Sequence, residues 1–435
     1  MQRATTKRIG LGLFICIALA MIGYVILRSF SQYREAVSVD RVTSYDAPQK
    51  LSWKIQSIDT MKQSRDLARG KANDATFDDE IAWQVKTIAE TGANYIALGT
   101  PYDKEFLPFM RRWIQAARAN NLHVWFRGNW SGWEGWFDYP KNLTRANHIS
   151  KTRDFIKNNP DLFRDGDIFS PCPECENGGP GDPRQTGDTV GYRAFIVEEY
   201  QESKDAFEEI ERNVRVFYPS NRDVAKLIMD RATTRSLGGY VIIDHHIADA
   251  ESMAADLRAI IESSGGRVVL GEFGVPVLDN RGRKMTEADR EAWMHIVLGS
   301  LLSIRGLEGV NYWVNTTGTT ALWEETGETH GIATVLASYF SPNVVYGTVT
   351  DSFLCPVELA KISSAQGDVV TQHDGRFEIR SIGKSIADLR ISAPGFIERH
   401  IETGSGADGH RSIMLVREHP GTLLQERWLY QYCLK

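Results

Sequence analysis

Three acidic side chains follow two short runs of β-forming residues, and they define the chemistry to look for. Arg267-Val268-Val269-Leu270 ends in Gly271-Glu272-Phe273-Gly274-Val275-Pro276. An apolar run bounded by glycines reads as a short, fully buried strand, here with Glu272 at its tip. A second run, Asp167-Ile168-Phe169, ends in Ser170-Pro171-Cys172-Pro173-Glu174-Cys175-Glu176-Asn177-Gly178-Gly179, which places Glu174 and Glu176 just past its end. Two carboxylates facing each other over one pocket can cleave a glycosidic bond. One protonates the leaving oxygen and the other attacks the anomeric carbon, with retention at a separation of about 5–5.5 Å and inversion at about 6.5–9.5 Å.

That reading requires elements that bring residues about a hundred positions apart to one place. Between positions 51 and 341, short β-rich runs alternate with amphipathic helical stretches. Strands are expected at Trp53–Ile58, Tyr95–Leu98, Leu122–Phe126, Asp167–Phe169, Val214–Phe217, Tyr240–Ile243, Arg267–Leu270 and Val310–Trp313. Helices are expected at Phe77–Glu90, Glu105–Asn120, Ala146–Asn158, Gly191–Arg212, Asp223–Ala232 and Ala250–Ser263, with another running from the cap Thr286 to about Ser303. Eight strands alternating with these helices describe an α/β fold of the (β/α)₈ TIM-barrel type. A doubly wound sheet is the alternative, but no Gly-x-Gly-x-x-Gly follows the first strand. In such barrels, side chains at the C-terminal ends of the strands face one another across the mouth.

With strands four and seven carrying the acids, the region 51–341 resembles the large clan of retaining glycoside hydrolases built on (β/α)₈ barrels, in particular its family 5-like branch. Gly271-Glu272-Phe273-Gly274-Val275-Pro276 carries the resemblance, which implies that Glu272 is the nucleophile. It places the acid/base after strand four. Distance from the strand favours Glu174, with Glu176 as the alternate. The Asn-Glu pair usual there is replaced by Pro173-Glu174-Cys175-Glu176-Asn177. The resemblance also implies that His245 or His246, after strand six, contacts the nucleophile, and that Trp313, after strand eight, is a sugar platform. No metal and no organic cofactor is implied.

Other residues join the substrate-binding set from their own chemistry. Arg127 ends strand three, where it can hydrogen-bond a carboxylate or a substrate hydroxyl. The loop after it carries Asn129, Trp130, Trp133 and Trp136 among glycines, and flat rings with polar neighbours suit pyranose faces. Asn177 stands beside the strand-four acids. The expected partner is therefore an oligo- or polysaccharide. A net charge of −6 argues against a nucleic-acid partner. The alternative function is a non-catalytic glycan-binding or adhesion protein using the barrel mouth as its receptor, which the missing Asn-Glu pair keeps open.

The flanks complete the organisation. Ile9–Leu27 is an uncharged apolar run close to the roughly 20 residues that cross a bilayer, preceded by Arg3, Lys7 and Arg8. Residues 1–28 are thus expected to be a transmembrane anchor with the body outside the cytoplasm, and 29–50 a linker. The rival is a secreted protein cleaved near Ala18-Leu19-Ala20. Cys172 and Cys175 have C-x-x-C spacing without a second ligand pair, which favours a local disulfide or free thiols over metal. Residues 342–417 read as a β-sandwich, with a hairpin at Val369–Ile379 turning on Asp374-Gly375. Gly347-Thr348-Val349-Thr350-Asp351, Thr371-Gln372-His373-Asp374-Gly375-Arg376-Phe377 and Pro394-Gly395-Phe396 resemble the carboxypeptidase regulatory-like, transthyretin-like domains. Residues 418–435 are a tail.

Overall fold

The computed structural model describes residues 52–179, 181–383, 386, 388–402 and 409–418. The expected anchor, linker and most of the tail lie outside the described residues. No described helix is long and apolar enough to cross a membrane. Contacts divide the described chain into two compact units, one of residues 52–343 with 380–383, the other of 344–379 with the described residues from 386 on.

The first unit is built on one parallel sheet. Its strands are β1 (Ile55–Asp59), β2 (Tyr95–Leu98), β3 (His123–Phe126), β4 (Ile168–Phe169), β5 (Arg215–Val216), β6 (Pro219–Asn221), β7 (Tyr240–Asp244), β8 (Arg267–Phe273) and β9 (Leu307–Tyr312). The order is β5-β4-β3-β2-β1-β9-β8-β7-β6. The two edge strands are consecutive pieces of one chain segment. β5 pairs with β4 (Arg215 opposite Ile168), and two residues later β6 pairs with β7 (Pro219 opposite Ile242). The segment 215–221 therefore acts as the fifth of eight staves and closes a parallel α/β barrel.

The expected helices follow the staves. Phe77–Glu90 buries Ile81, Val85 and Ile88 on one face, and Glu287–Leu302 starts with a capping box between Thr286 and Asp289. The stretch expected as one helix, Asp223–Ala232, is two. Arg222–Ile228 stops, and Asp230 caps a second turn at Arg231–Ser236 through the amides of Ala232 and Thr233. An Asp side chain offered to free amides starts a helix more readily than it continues one.

Alternation along the staves sorts the interior into layers. Ile55, Tyr95, Trp125, Ile168, Phe217, Ile242 and Val269 form an apolar floor. Two residues further along three of those rows come Arg127, Asp244 and Gly271; β9 adds Asn311, and Asp59 ends the β1 row. The floor is thus capped by a polar layer, buried yet just beneath the C-terminal mouth.

The second unit is a two-sheet β structure. One sheet has the order Arg376–Ser381, Asn343–Asp351, Gly409–Leu415, and the other Gly367–Val370, Lys361–Ser364, Asp388–Ser392, Arg399–Glu402. Val349, Ile362, Phe377, Ile379, Leu389, Ile391 and Ile413 share one core. Phe377 and Ile379 point inward as expected, but Val369–Ile379 is not a hairpin. The strand before Asp374-Gly375 pairs with Lys361–Ser364, and the strand after it belongs to the other sheet. The turn residues are right, yet the turn carries the chain between sheets, and local turn chemistry does not encode the partner.

Candidate active site

Glu272 does not reach the mouth by simple alternation. Gly271 occupies the inward position of its row, so an undisturbed strand would turn the next side chain outward. Between β7 and β8, Ile243 pairs with Leu270 but Asp244 pairs with Glu272, so one extra residue is inserted at Gly271. The pairing with β9 slips over the same stretch, between Leu270 and Phe273. A bulge of this kind bends the strand and re-aims the side chain that follows, here Glu272. Gly271 is required by close approach: a Cβ there would lie 2.3 Å from Asp244 Oδ1 and 3.2 Å from Arg127 Nη1. Gly271→Ala is expected to destabilise the protein by about 1–3 kcal/mol through overpacking, read as a lower urea midpoint at unchanged slope.

Arg127 sits at the centre of the polar layer, fully buried. Its Nη2 donates to Glu272 Oε1 and, at 3.0 Å, to Asp244 Oδ2; Nη1 donates to the Gly271 carbonyl at 3.0 Å. Nε lies 3.3 Å from Asp59 Oδ2. Asn311 Nδ2 bridges Asp59 Oδ2 and the Gly271 carbonyl at 3.1 and 2.8 Å. Of the two partners expected for Arg127, a carboxylate or a substrate hydroxyl, the structure shows the first: it lies behind Glu272 and holds that carboxylate, fully buried and not exposed to substrate. Burial opposes the guanidinium charge, yet Asp244, Glu272 and Asp59 together raise its pKa.

Glu174 comes to the same place from strand four. One carboxylate oxygen each of Glu174, Asp244 and Glu272 lies within 4.8 Å of the others. Burial, followed by the charges of Glu272 and Asp244, pushes Glu174 up to about 9. Burial and Asp244 also raise Glu272, with Arg127 pulling it down. Four carboxylates (Asp59, Asp244, Glu174 and Glu272) thus share one guanidinium, so the cluster holds protons at neutral pH. The hydrogen bonds indicate where. Glu272 has Arg127 on Oε1 and His246 Nε2 at 3.4 Å from Oε2, which favours its anion. Glu174 is contacted by the neutral amide of Asn177, Nδ2 to Oε2 at 2.8 Å, and keeps its proton.

The other expected site residues divide. His246 is half-exposed beside Glu272, whereas His245 is buried and turned to Asp256, 3.1 Å away. Glu176, the alternate acid, is buried and faces away from the cluster, taking Tyr192 Oη at 3.0 Å and the Asn221 amide at 2.7 Å. Asn177 is exposed and touches Glu174. Trp313 is half-buried at the end of β9.

The aromatic loop is a correction. Trp130 and Trp133 are 7% and 1% exposed, so neither offers a face to a sugar. Trp130 donates to Thr152 and stands edge-on to Tyr102, while Trp133 stacks on Phe195 and donates to the Cys175 carbonyl. Asn129 is likewise committed. It donates to Glu134 at 2.8 Å and to Cys172 Sγ at 3.3 Å, and accepts from the Trp130 amide and from His148. The glycines that suggested a displayed loop instead allow a tight turn at Ser131–Glu134 that drives the rings inward. Sequence reasoning missed Asp59 and Asp244 as members of the cluster. The signal was present, since each ends an inward-facing row, Ile55-x-Ser57-x-Asp59 and Ile242-x-Asp244.

No protein-family model and no curated protein matches the chain. Among solved structures, it is similar to a GH5_18 protein of Bifidobacterium longum subsp. longum in complex with Manb1-4GlcNAc, at 14% identity and TM-score 0.47 over 68% of this chain and 82% of that one. It is also similar to a β-D-glucuronidase of Dictyoglomus thermophilum, at 14% identity and TM-score 0.45 over 67% of this chain. It spans 50% of that glucuronidase's length. A third similarity is to fungal β-1,4-galactanases, at 11% identity and TM-score 0.47 over 65% of this chain and 99% of that one.

Proposed function

We propose that the chain is a retaining glycoside hydrolase acting on a β-linked glycan, with Glu174 as general acid/base and Glu272 as nucleophile. The observation that carries this reading is the approach to within 4.8 Å of two carboxylates, one just past β4 and one on β8. That gap is near the separation of retaining enzymes, about 5–5.5 Å, and well short of the roughly 6.5–9.5 Å of inverting ones. In the first step Glu174 gives its proton to the glycosidic oxygen as the bond to the anomeric carbon breaks. Glu272, oriented by Arg127, bonds that carbon from the opposite face. In the second step the Glu174 carboxylate takes a proton from water, which displaces Glu272 and regenerates the starting pair.

Asp59 and Asp244 are assigned the role of fixing Arg127, and through it Glu272. His246, Asn177 and Trp313 remain the side chains offered to substrate. Ile9–Leu27 is read as a membrane anchor that keeps the body extracytoplasmic, and the C-terminal unit as a carboxypeptidase regulatory-like stabilising domain.

The test is hydrolysis of a panel of aryl β-glycosides, with the configuration of the first-formed sugar read by proton NMR. Retention is expected. A general acid must be protonated, so activity is present below, and lost on passing above, the raised pKa of Glu174, about 9. Glu174→Gln is expected to remove that alkaline limb and to slow poor leaving groups by about 10²–10⁴-fold. An inverted first product, or an unchanged profile in the variant, sinks the assignment.

A further inference from the structure

The fragment that carries Glu174 is closed on itself. Cys172 and Cys175 form a disulfide across Pro173 and Glu174 with their Cα atoms 5.1 Å apart, and both cysteines are buried, at 0% and 2% exposure. Within this ring Glu174 adopts a left-handed conformation, φ 47° and ψ 46°, which non-glycine side chains rarely take. Such a residue persists where its surroundings over-determine it, and here they do. The Glu174 amide donates to the Pro219 carbonyl at 2.9 Å, Asn129 Nδ2 donates to Cys172 Sγ at 3.3 Å, and Trp133 Nε1 donates to the Cys175 carbonyl at 3.3 Å.

A bridge between residues three apart constrains the unfolded chain far less than one closing a long loop, so its contribution to global stability is at the small end of the range. Its effect is concentrated on the four residues it encloses. Strand four contributes only Ile168–Phe169 to the sheet, so regular pairing stops well before Glu174. The ring supplies the rigidity that the ladder does not.

We infer that the Cys172–Cys175 disulfide positions the general acid: the two cysteines hold the Glu174 carboxyl over the bond to be cleaved, and without the bridge the proton-transfer role is lost while the nucleophile still works. This inference rests on the glycosidase reading. The test compares the full-length wild type with Cys172→Ser/Cys175→Ser on β-glycosides of 2,4-dinitrophenol, which leaves without a proton, and of phenol, which needs one.

The double variant is expected to lose about 10²-fold or more on the phenyl glycoside. It should keep its glycosyl-enzyme burst on the dinitrophenyl glycoside within about threefold, a contrast that follows because only phenol needs the acid in order to leave. It is also expected to lose the alkaline limb and to be accelerated by azide with a β-glycosyl azide as product. Wild type reduced with a phosphine, its free thiols counted by alkylation and mass, is expected to behave the same way. Equal loss on both leaving groups, no loss on either, or collapse of the whole fold in both bridge-free forms overturns the positioning role. Wild type inactive on every glycoside overturns the glycosidase reading itself, and the inference with it. Wild-type turnover with an unaffected variant overturns the inference alone.

Discussion

Glu272→Ala is expected to lower turnover of any aryl β-glycoside substrate on the order of 10⁵-fold, whatever the leaving group, because in the proposed mechanism both chemical steps pass through the bond this carboxylate makes. The leaving-group independence separates it from Glu174→Gln, whose defect grows as the leaving group worsens. Azide gives the second distinction. In Glu272→Ala it occupies the space of the missing carboxylate and attacks from that side, so a β-glycoside yields an α-glycosyl azide. In Glu174→Gln it attacks the glycosyl-enzyme from the other side and yields the β-glycosyl azide. Product configuration by NMR therefore assigns both roles independently of rates. Absence of a glycosyl azide from both variants, or the same anomer from both, would contradict the mechanism.

Arg127→Ala is expected to be the most destabilising single change in the barrel, at about 3–5 kcal/mol, because it leaves Asp59, Asp244 and Glu272 buried without their shared cation. Equilibrium unfolding in urea measures this directly. Its kinetic signature has a definite sign. Arg127 lowers the pKa of Glu272, so its removal raises it. Glu272 must be ionised to attack, and the acid limb of kcat/KM therefore moves to higher pH while the alkaline limb set by Glu174 moves less. Arg127→Lys keeps the charge but not the fork that reaches Glu272, Asp244 and the Gly271 carbonyl together, and is expected to recover stability more than rate. A variant with wild-type stability would remove Arg127 from the centre of the cluster.

The sequence exposes the barrel where a run is apolar, β-branched and bounded by glycine or a cap, as at Tyr95–Leu98 and Phe77–Glu90, whose limits the structure reproduces. It exposes less of the fifth stave. Pro219-Ser220-Asn221 has no β-forming character and pairs because β7 offers it a ladder, a tertiary effect. Of the site, the acidic tips are legible because glycine and proline isolate them from the strands. What they touch is not. The bulge that turns Glu272 inward is a one-residue slip relative to two neighbouring strands, and a single strand's sequence does not carry its register with others. Arg127, Trp130 and Trp133 were assigned by chemical type, and type does not distinguish a ring displayed to solvent from one packed beneath a tight turn.

The closing stave has a consequence for how the two acids are mounted. Glu272 is the last but one residue of a seven-residue strand hydrogen-bonded on both flanks, whereas Glu174 hangs beyond a two-residue strand and is tied by its amide to Pro219, at the seam where the fifth stave changes partners. On the proposed mechanism, the group that forms and breaks a covalent bond is therefore fixed in a stiff wall. The group proposed to pass the proton is anchored instead by its own four-residue ring and by one amide bond to the seam, so its placement depends on those local ties and not on the ladder.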